Sequence, residues 1–217
     1  KKAIVAGYYN QSGSYVQNCD FIIDAEYYEK STSQPFFADL HELNAFNFNG
    51  NLFKNEVTDA SVSTALLPIG IRAYNTGLQI KNNNIFENLL YGIKSTALNF
   101  TNITEINGNT FTKNLTGIYM SGLNAPQIFF NSFEAIPFNA ALPIAQTFTG
   151  VYLDGVQGHS VEENTFFSNL SGIPDKQHPC IGLVVNNGGT QDVEVYLNSF
   201  EYLDFAILAQ NNNRSSD

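Results

Sequence analysis

Three histidines and two cysteines, set among 20 Asp and Glu and 10 Lys and Arg, are the groups of this 217-residue chain that could move protons, hold a metal or attack an electrophile. Metal binding needs several such ligands at short, characteristic spacings. His41, His178, Cys19 and Cys180 are scattered along the chain instead. His41 and His178 therefore read as loop or surface residues, and neither a metal nor a cofactor is expected. Glu162 and Glu163 are adjacent, and neighbours in a strand face opposite sides, so they cannot act on one substrate. His159, within Gly158-His159-Ser160, reads as an exposed turn residue. The chain has no Ser-His-Asp arrangement and no phosphate-binding glycine loop.

The elements that would carry such groups are repeats, anchored by the step Asn-x-Phe. It occurs at Asn51/Phe53, Asn84/Phe86, Asn109/Phe111, Asn131/Phe133, Asn164/Phe166 and Asn198/Phe200, with Cys19/Phe21 as a degenerate first copy. A second anchor is a small residue followed by alternating apolar positions, at Gly70, Gly92, Gly117, Gly150, Gly182 and Ala206, with the earliest copy placed at Ala38. A third stretch, upstream of each Asn-x-Phe, carries Leu78/Ile80, Ile103/Ile106, Ile128, Val161 and Val193/Val195. Three short strands of period two per coil of about 22 residues is the size of one turn of a parallel β-helix. The expected fold is all-β: one right-handed, single-stranded parallel β-helix of about eight coils spanning residues 1–217.

Alternation places Ile71, Ile93, Ile118, Val151, Leu183 and Ile207 inward as one row and the six phenylalanines of the anchor, Phe53 to Phe200, as another. The Asn row reads as a structural ladder at a turn, because Asn tolerates left-handed backbone and its amide both donates and accepts along a stack. The small residues read as corners that permit tight turning. The interval from Phe to the next small anchor is short in some coils (Phe86 to Gly92, Phe111 to Gly117) and long in others (Phe53 to Gly70, Phe133 to Gly150). Insertions thus leave one and the same corner, through residues 22–37, 54–69, 134–149 and 167–181. Cys19 and Cys180 fall about five rungs apart, beyond the ~7 Å reach of a disulfide, so both are expected as free thiols of the buried, structural kind.

A net charge of −10 and a pI near 4.6 set aside nucleic acid and anionic membranes, whose phosphates need clustered Lys and Arg. Direct membrane insertion is not expected either, since the sequence contains no run of 18 apolar residues. Only 14% of residues are charged, so neutral polar groups must supply the solubility, as suits an extracellular solenoid. The chain opens on Lys1 without an initiator Met, and neither end reads as a cap, which points to a piece of a longer protein or to ends covered by a partner.

Over about residues 3–210, Asn-x-Phe, a short turn and Gly-Ile/Val resemble the parallel β-helix repeat family of the periplasmic copper-site maturation protein and, more distantly, pectin-degrading enzymes. Gly158-His159-Ser160 is similar to the Gly-His-Gly of polygalacturonases, but that family's paired Asp motif and basic motif are absent. The low-lysine, Asn- and Thr-rich repeats also look like pieces of large secreted surface proteins of Bacteroidota. These resemblances imply a secreted or cell-surface, non-enzymatic structural and adhesive module of the kind that assembles into a filament, hook or fibre. Its partners would be neighbouring domains, copies of itself or cell-surface polysaccharide. The alternatives are a polysaccharide lyase, hydrolase or epimerase, or a carbohydrate-binding module.

Two surfaces are candidate sites. Outward positions of the small-residue strand put Arg72, Lys94, Tyr119 and Tyr152 in one strip, where tyrosines could stack sugar rings and the basic end could hold acidic groups. In the next outward row Asp154 is the one acidic residue. The inserted corners supply candidate contact residues: Asp24, Glu26, Tyr27 and Tyr28 in the first, Leu66 and Leu67 in the second, and Phe138 and Leu142 in the third.

Overall fold

A computed structural model describes residues 2–7, 13–31, 33–57, 63–100, 102–135, 146–168 and 178–213. Its strands form three parallel sheets that run the length of one parallel β-helix. The first sheet stacks Lys2–Gly7, Phe36–His41, Ile69–Tyr74, Tyr91–Phe100, Thr116–Leu123, Phe148–Asp154, Cys180–Asn186 and Phe205–Gln210. The second stacks Ser14–Gln17, Phe46–Asn49, Leu78–Lys81, Thr104–Asn107, Gln127–Phe129, Ser160–Glu162 and Glu194–Tyr196. The third stacks Asp20–Ile23, Leu52–Asn55, Ile85–Glu87, Thr110–Thr112, Ser132–Glu134, Thr165–Phe167 and Ser199–Glu201. Rungs one to eight are numbered here by the first-sheet strands.

The phenylalanine row forms a continuous pile. From Phe21 through Phe53, Phe86, Phe111, Phe133 and Phe166 to Phe200, successive rings lie 4.7 to 5.0 Å apart and within 10° of parallel. In the neighbouring inward row Ile71, Ile93, Ile118, Val151 and Leu183 are fully buried. Ile207 pairs in the same row but is 47% exposed, because it lies in the outermost described rung. Of the apolar residues upstream of each anchor, Ile103 is exposed and Thr104 takes the inward place beside Leu78, while Val193 follows His159 in register but is exposed in the outermost described rung of the second sheet.

The Asn row is a hydrogen-bonded ladder. The backbone N and Nδ2 of Asn51, Asn84, Asn109, Asn131 and Asn164 each donate to Oδ1 of the next Asn along, at 2.8 to 3.2 Å. The second Nδ2 proton reaches back to a second-sheet carbonyl of the preceding rung, as from Asn109 to Ile80 and from Asn131 to Ile106. Both donors and the acceptor of each interior amide are thereby used by neighbouring rungs, which is what burial of an amide demands. Cys19 does hold the Asn place in rung one, its backbone N donating to Asn51 Oδ1 at 3.0 Å, but its thiol is exposed.

Three local expectations are corrected. The ladder residues themselves are not left-handed; that conformation falls one residue earlier, at Asn18, Gly50, Asn83, Gly108, Phe130, Glu163 and Leu197. Glycines before the first-sheet strands do not have positive φ either. They are needed for space: a Cβ on Gly92, Gly117, Gly150 or Gly182 would lie 2.6 to 2.7 Å from the carbonyl oxygen of the next rung and 2.6 to 2.9 Å from the Phe ring of its own. Lastly, Ala38 pairs with Ile71 rather than Gly70, so rung two is shifted by one residue and Phe37 occupies the glycine place. That slip turns Asp39 outward, opposite Arg72.

Asn131→Ala should cost roughly 2–4 kcal/mol, since it strands the buried donors of Asn109. Asn198→Ala, near the open end where water can replace the lost acceptor, should cost visibly less; urea unfolding of both variants checks the order.

Candidate functional site

The strip expected from the sequence is continuous along the outward face of the first sheet. Arg72, Lys94, Tyr119 and Tyr152 pair in register, followed by Val184 and preceded by Asp39. The next row holds His41, Tyr74, Thr96, Ser121, Asp154 and Asn186. Asp39 is the site residue that alternation overlooked, because the one-residue slip hid it among inward positions.

These groups are largely engaged with one another. Asp39 is fully buried and receives a two-pronged ion pair from Arg72, Nε to Oδ1 and Nη2 to Oδ2, both 2.7 Å. His41 Nε2 approaches the same carboxylate at 3.1 Å, which puts His41 on the sheet face rather than in a loop. The Arg72 guanidinium also lies over the Phe36 ring, 3.9 Å from its centre. Arg72 is thus a neutralised clasp rather than a free basic end. Lys94 Nζ sits between two aromatic rings, 5.0 Å from Tyr91 and 5.8 Å from Tyr119, with no carboxylate within ion-pair distance among the described residues.

Tyr119 and Tyr152 stack on each other, their centres 5.6 Å apart and their planes 28° from parallel. The faces between them are therefore taken by one another, and a ligand above the sheet would meet ring edges and hydroxyls. Asp154 accepts from Asn186 Nδ2 at 2.7 Å and from the Tyr119 hydroxyl at 3.5 Å. Burial, and secondly the charge of Asp154, pushes the Tyr119 hydroxyl above the usual tyrosine range, and burial does the same for Tyr91, so both stay protonated and uncharged at neutral pH. Chemically the strip offers one uncommitted ammonium, one carboxylate and several hydroxyls.

Most of the described corner residues lie against the solenoid. Asp24 caps the short helix Ala25–Lys30, accepting from Tyr27 N at 3.2 Å, and Glu26 pairs with Lys30; both acids are exposed. Tyr27 and Tyr28 pack on the core, and the Tyr28 hydroxyl is pushed up to about 12, first by burial and then by Tyr27, against a pull from Asn55. Leu66 is half-buried and Leu67 buried, its carbonyl accepting from Gln34 Nε2. Phe138 and Leu142 lie outside the described residues.

Two histidines read as surface or turn groups are interior, and Cys180 is buried as expected. His178 is buried edge-on to Phe148, Cys180 Sγ lies 3.2 Å from the Ala135 carbonyl, and His159 is 1% exposed. Neither cysteine is in a disulfide; Cys19 and Cys180 sit in rungs one and seven, too far apart to bridge. On the third sheet Glu87 and Glu134 share an outward row two rungs apart. Burial, and more weakly the Glu87 charge, raises the Glu134 carboxyl above the usual range despite nearby Lys113.

Comparison with family models, with curated proteins and with solved structures finds no match to this chain.

Arg72→Ala leaves Asp39 with His41 but without its guanidinium, and should destabilise the chain by about 2–3 kcal/mol, less than a fully buried pair because Arg72 is a third exposed. A double-mutant cycle with Asp39→Asn, read by thermal unfolding, should recover much of that loss.

Proposed function

We propose that this chain is a non-enzymatic structural and adhesive β-helix module of a large secreted or cell-surface protein. The observation that carries this reading is that both the interior of the solenoid and the outer face of its first sheet are stitched from rung to rung. Inside run the Asn ladder and the Phe pile. Outside, Asp39–Arg72, Tyr119–Tyr152 and Asp154–Asn186 each join one rung to its neighbour. A body whose side chains bond along its axis resists pulling along that axis, which suits a load-bearing spacer. Neutral hydroxyls of Thr110, Ser132, Thr165 and Ser199 make one outward row of its third sheet hydrated without charge, beside a row that holds Lys54, Glu87, Glu134 and Glu201. Its partners are neighbouring domains, copies of the same protein or cell-surface polysaccharide, and assembly into a filament, hook or fibre belongs to this reading.

A carbohydrate-active enzyme is the second reading, and Glu134 with Glu87 is the observation in its favour. Two rungs at the ~4.8 Å strand spacing put their backbones about 10 Å apart, near the upper limit for the acid and base of an inverting hydrolase. The raised carboxyl of Glu134 is the one suited to stay protonated.

Stretching single molecules end to end tests the leading reading. The chain should yield in steps of one rung, each releasing 22 to 34 residues (Asn109 to Asn131, Asn164 to Asn198), or roughly 75–115 Å of extended chain per step. A screen against acidic and neutral polysaccharides should show no cleavage; cleavage that disappears in Glu134→Gln would replace the structural reading with the enzymatic one.

A further inference from the structure

Among the buried titratable side chains that neither reading uses, His159 is the one with both ring nitrogens unpaired among the described residues. Where the first sheet turns into the second, inward places are taken in successive rungs by Thr104, Pro126, His159 and Val193, as the contacts Ser160 N to Pro126 O (3.0 Å) and Glu194 N to His159 O (2.9 Å) fix. His159 is 1% exposed, and neither ring nitrogen makes a hydrogen bond among the described residues. The Val156 carbonyl is near enough to pull on the ring but not aligned to close a bond. Two unpaired ring nitrogens can be tolerated in an apolar place only while the imidazole is neutral.

What closes over it is the corner 187–193 of rung seven. Gly188 lies against the ring, so that a Cβ there would stand 3.9 Å from His159 Cε1. The corner is pinned from the next rung: Asn213 Oδ1 accepts from Gly188 N at 2.7 Å, and Asn213 Nδ2 donates to the Val185 carbonyl at 3.0 Å. Charged groups on the surrounding elements face elsewhere. Asp154 is bonded to Asn186, Glu162 to Ser160, and Asp192 and Glu194 are exposed, so none compensates a charge on the ring.

We propose that the corner 187–193 is an acid-operated flap triggered by His159. Protonation gives the ring a charge that its pocket cannot solvate. The least costly route to water is release of Gly188 from Asn213, which lifts the corner and uncovers the underside of rung six. Burial lowers the folded-state pKa of His159 below its ordinary 6.5. The closed state is therefore fully favoured above about pH 6.5 and loses stability as pH falls through the folded value. This device is independent of either functional reading.

Amide hydrogen exchange of residues 187–196, corrected for the intrinsic pH dependence of exchange, is the test. Between pH 7.5 and 5.5 the intact chain should lose protection there by a factor approaching about tenfold, the ceiling for uptake of one proton by a ring of ordinary pKa in the open state. Protection of the interior Asn131 and Phe133 amides should hold. His159→Leu should remove the loss, and His159→Thr provides a second non-titrating variant of a type that the same row already accepts at Thr104. Equal protection of the corner at both pH values, or an undiminished loss in both variants, would overturn the proposal.

Discussion

Everything in this molecule depends on each rung repeating its neighbour at the spacing of one parallel strand pair. Backbone amides, aromatic rings and carboxamides all find their partners one rung up or down. A buried amide that lacks a partner costs about as much as several contacts return. The Asn ladder meets that requirement with a single residue type: its oxygen accepts twice from one side, while its nitrogen donates to both sides. Because the demand is the same in every rung, the answer recurs in every rung, and that recurrence is visible in the sequence.

The phenylalanine pile imposes a second condition. Rings stacked 4.7 to 5.0 Å apart fill the corner so fully that the facing residue of the same rung has no room for a Cβ. Gly92, Gly117, Gly150 and Gly182 follow from sterics, while a left-handed residue stands just before each ladder position, where Gly50 and Gly108 share the task with several non-glycine residues. In rung two Phe37 fills the glycine place and packs at 6.1 Å from both Phe21 and Phe53, and in rung eight Ala206 does so where no described rung lies beyond it.

The outer strip shows the same logic turned outward. Each group that might have recognised a ligand already has a neighbour on an adjacent rung: Arg72 has Asp39, Tyr119 has Tyr152, Asp154 has Asn186, and Lys94 lies between rings. Mutual satisfaction of this kind leaves few unspent bonds for a partner, and it makes the face part of the scaffold's lateral stitching. Expected as a basic and aromatic binding strip, this row is better described as a ladder with one free ammonium.

Period-two alternation and the Asn-x-Phe anchor were enough, read from the sequence alone, to determine the three-strand coil, the inward Phe and Ile rows, the Asn ladder with Cys19 standing in for its first member, and the single corner from which insertions leave. Those features are local and repeated, so each rung testifies for the others. Tertiary structure decided what alternation could not. A one-residue slip at Ala38 brought Asp39 against Arg72; the insertion of residues 24–35 hid the register there, because a corner of that length does not constrain where the next strand begins. Exposure was decided in space as well: His159 and His178 carry no signal of burial in their neighbours, yet the rungs and corners that cover them come from distant parts of the chain. Partner choice among outward side chains likewise depends on which rung lies beside which, a relation between residues 22 to 34 apart that only the stacked fold makes physical.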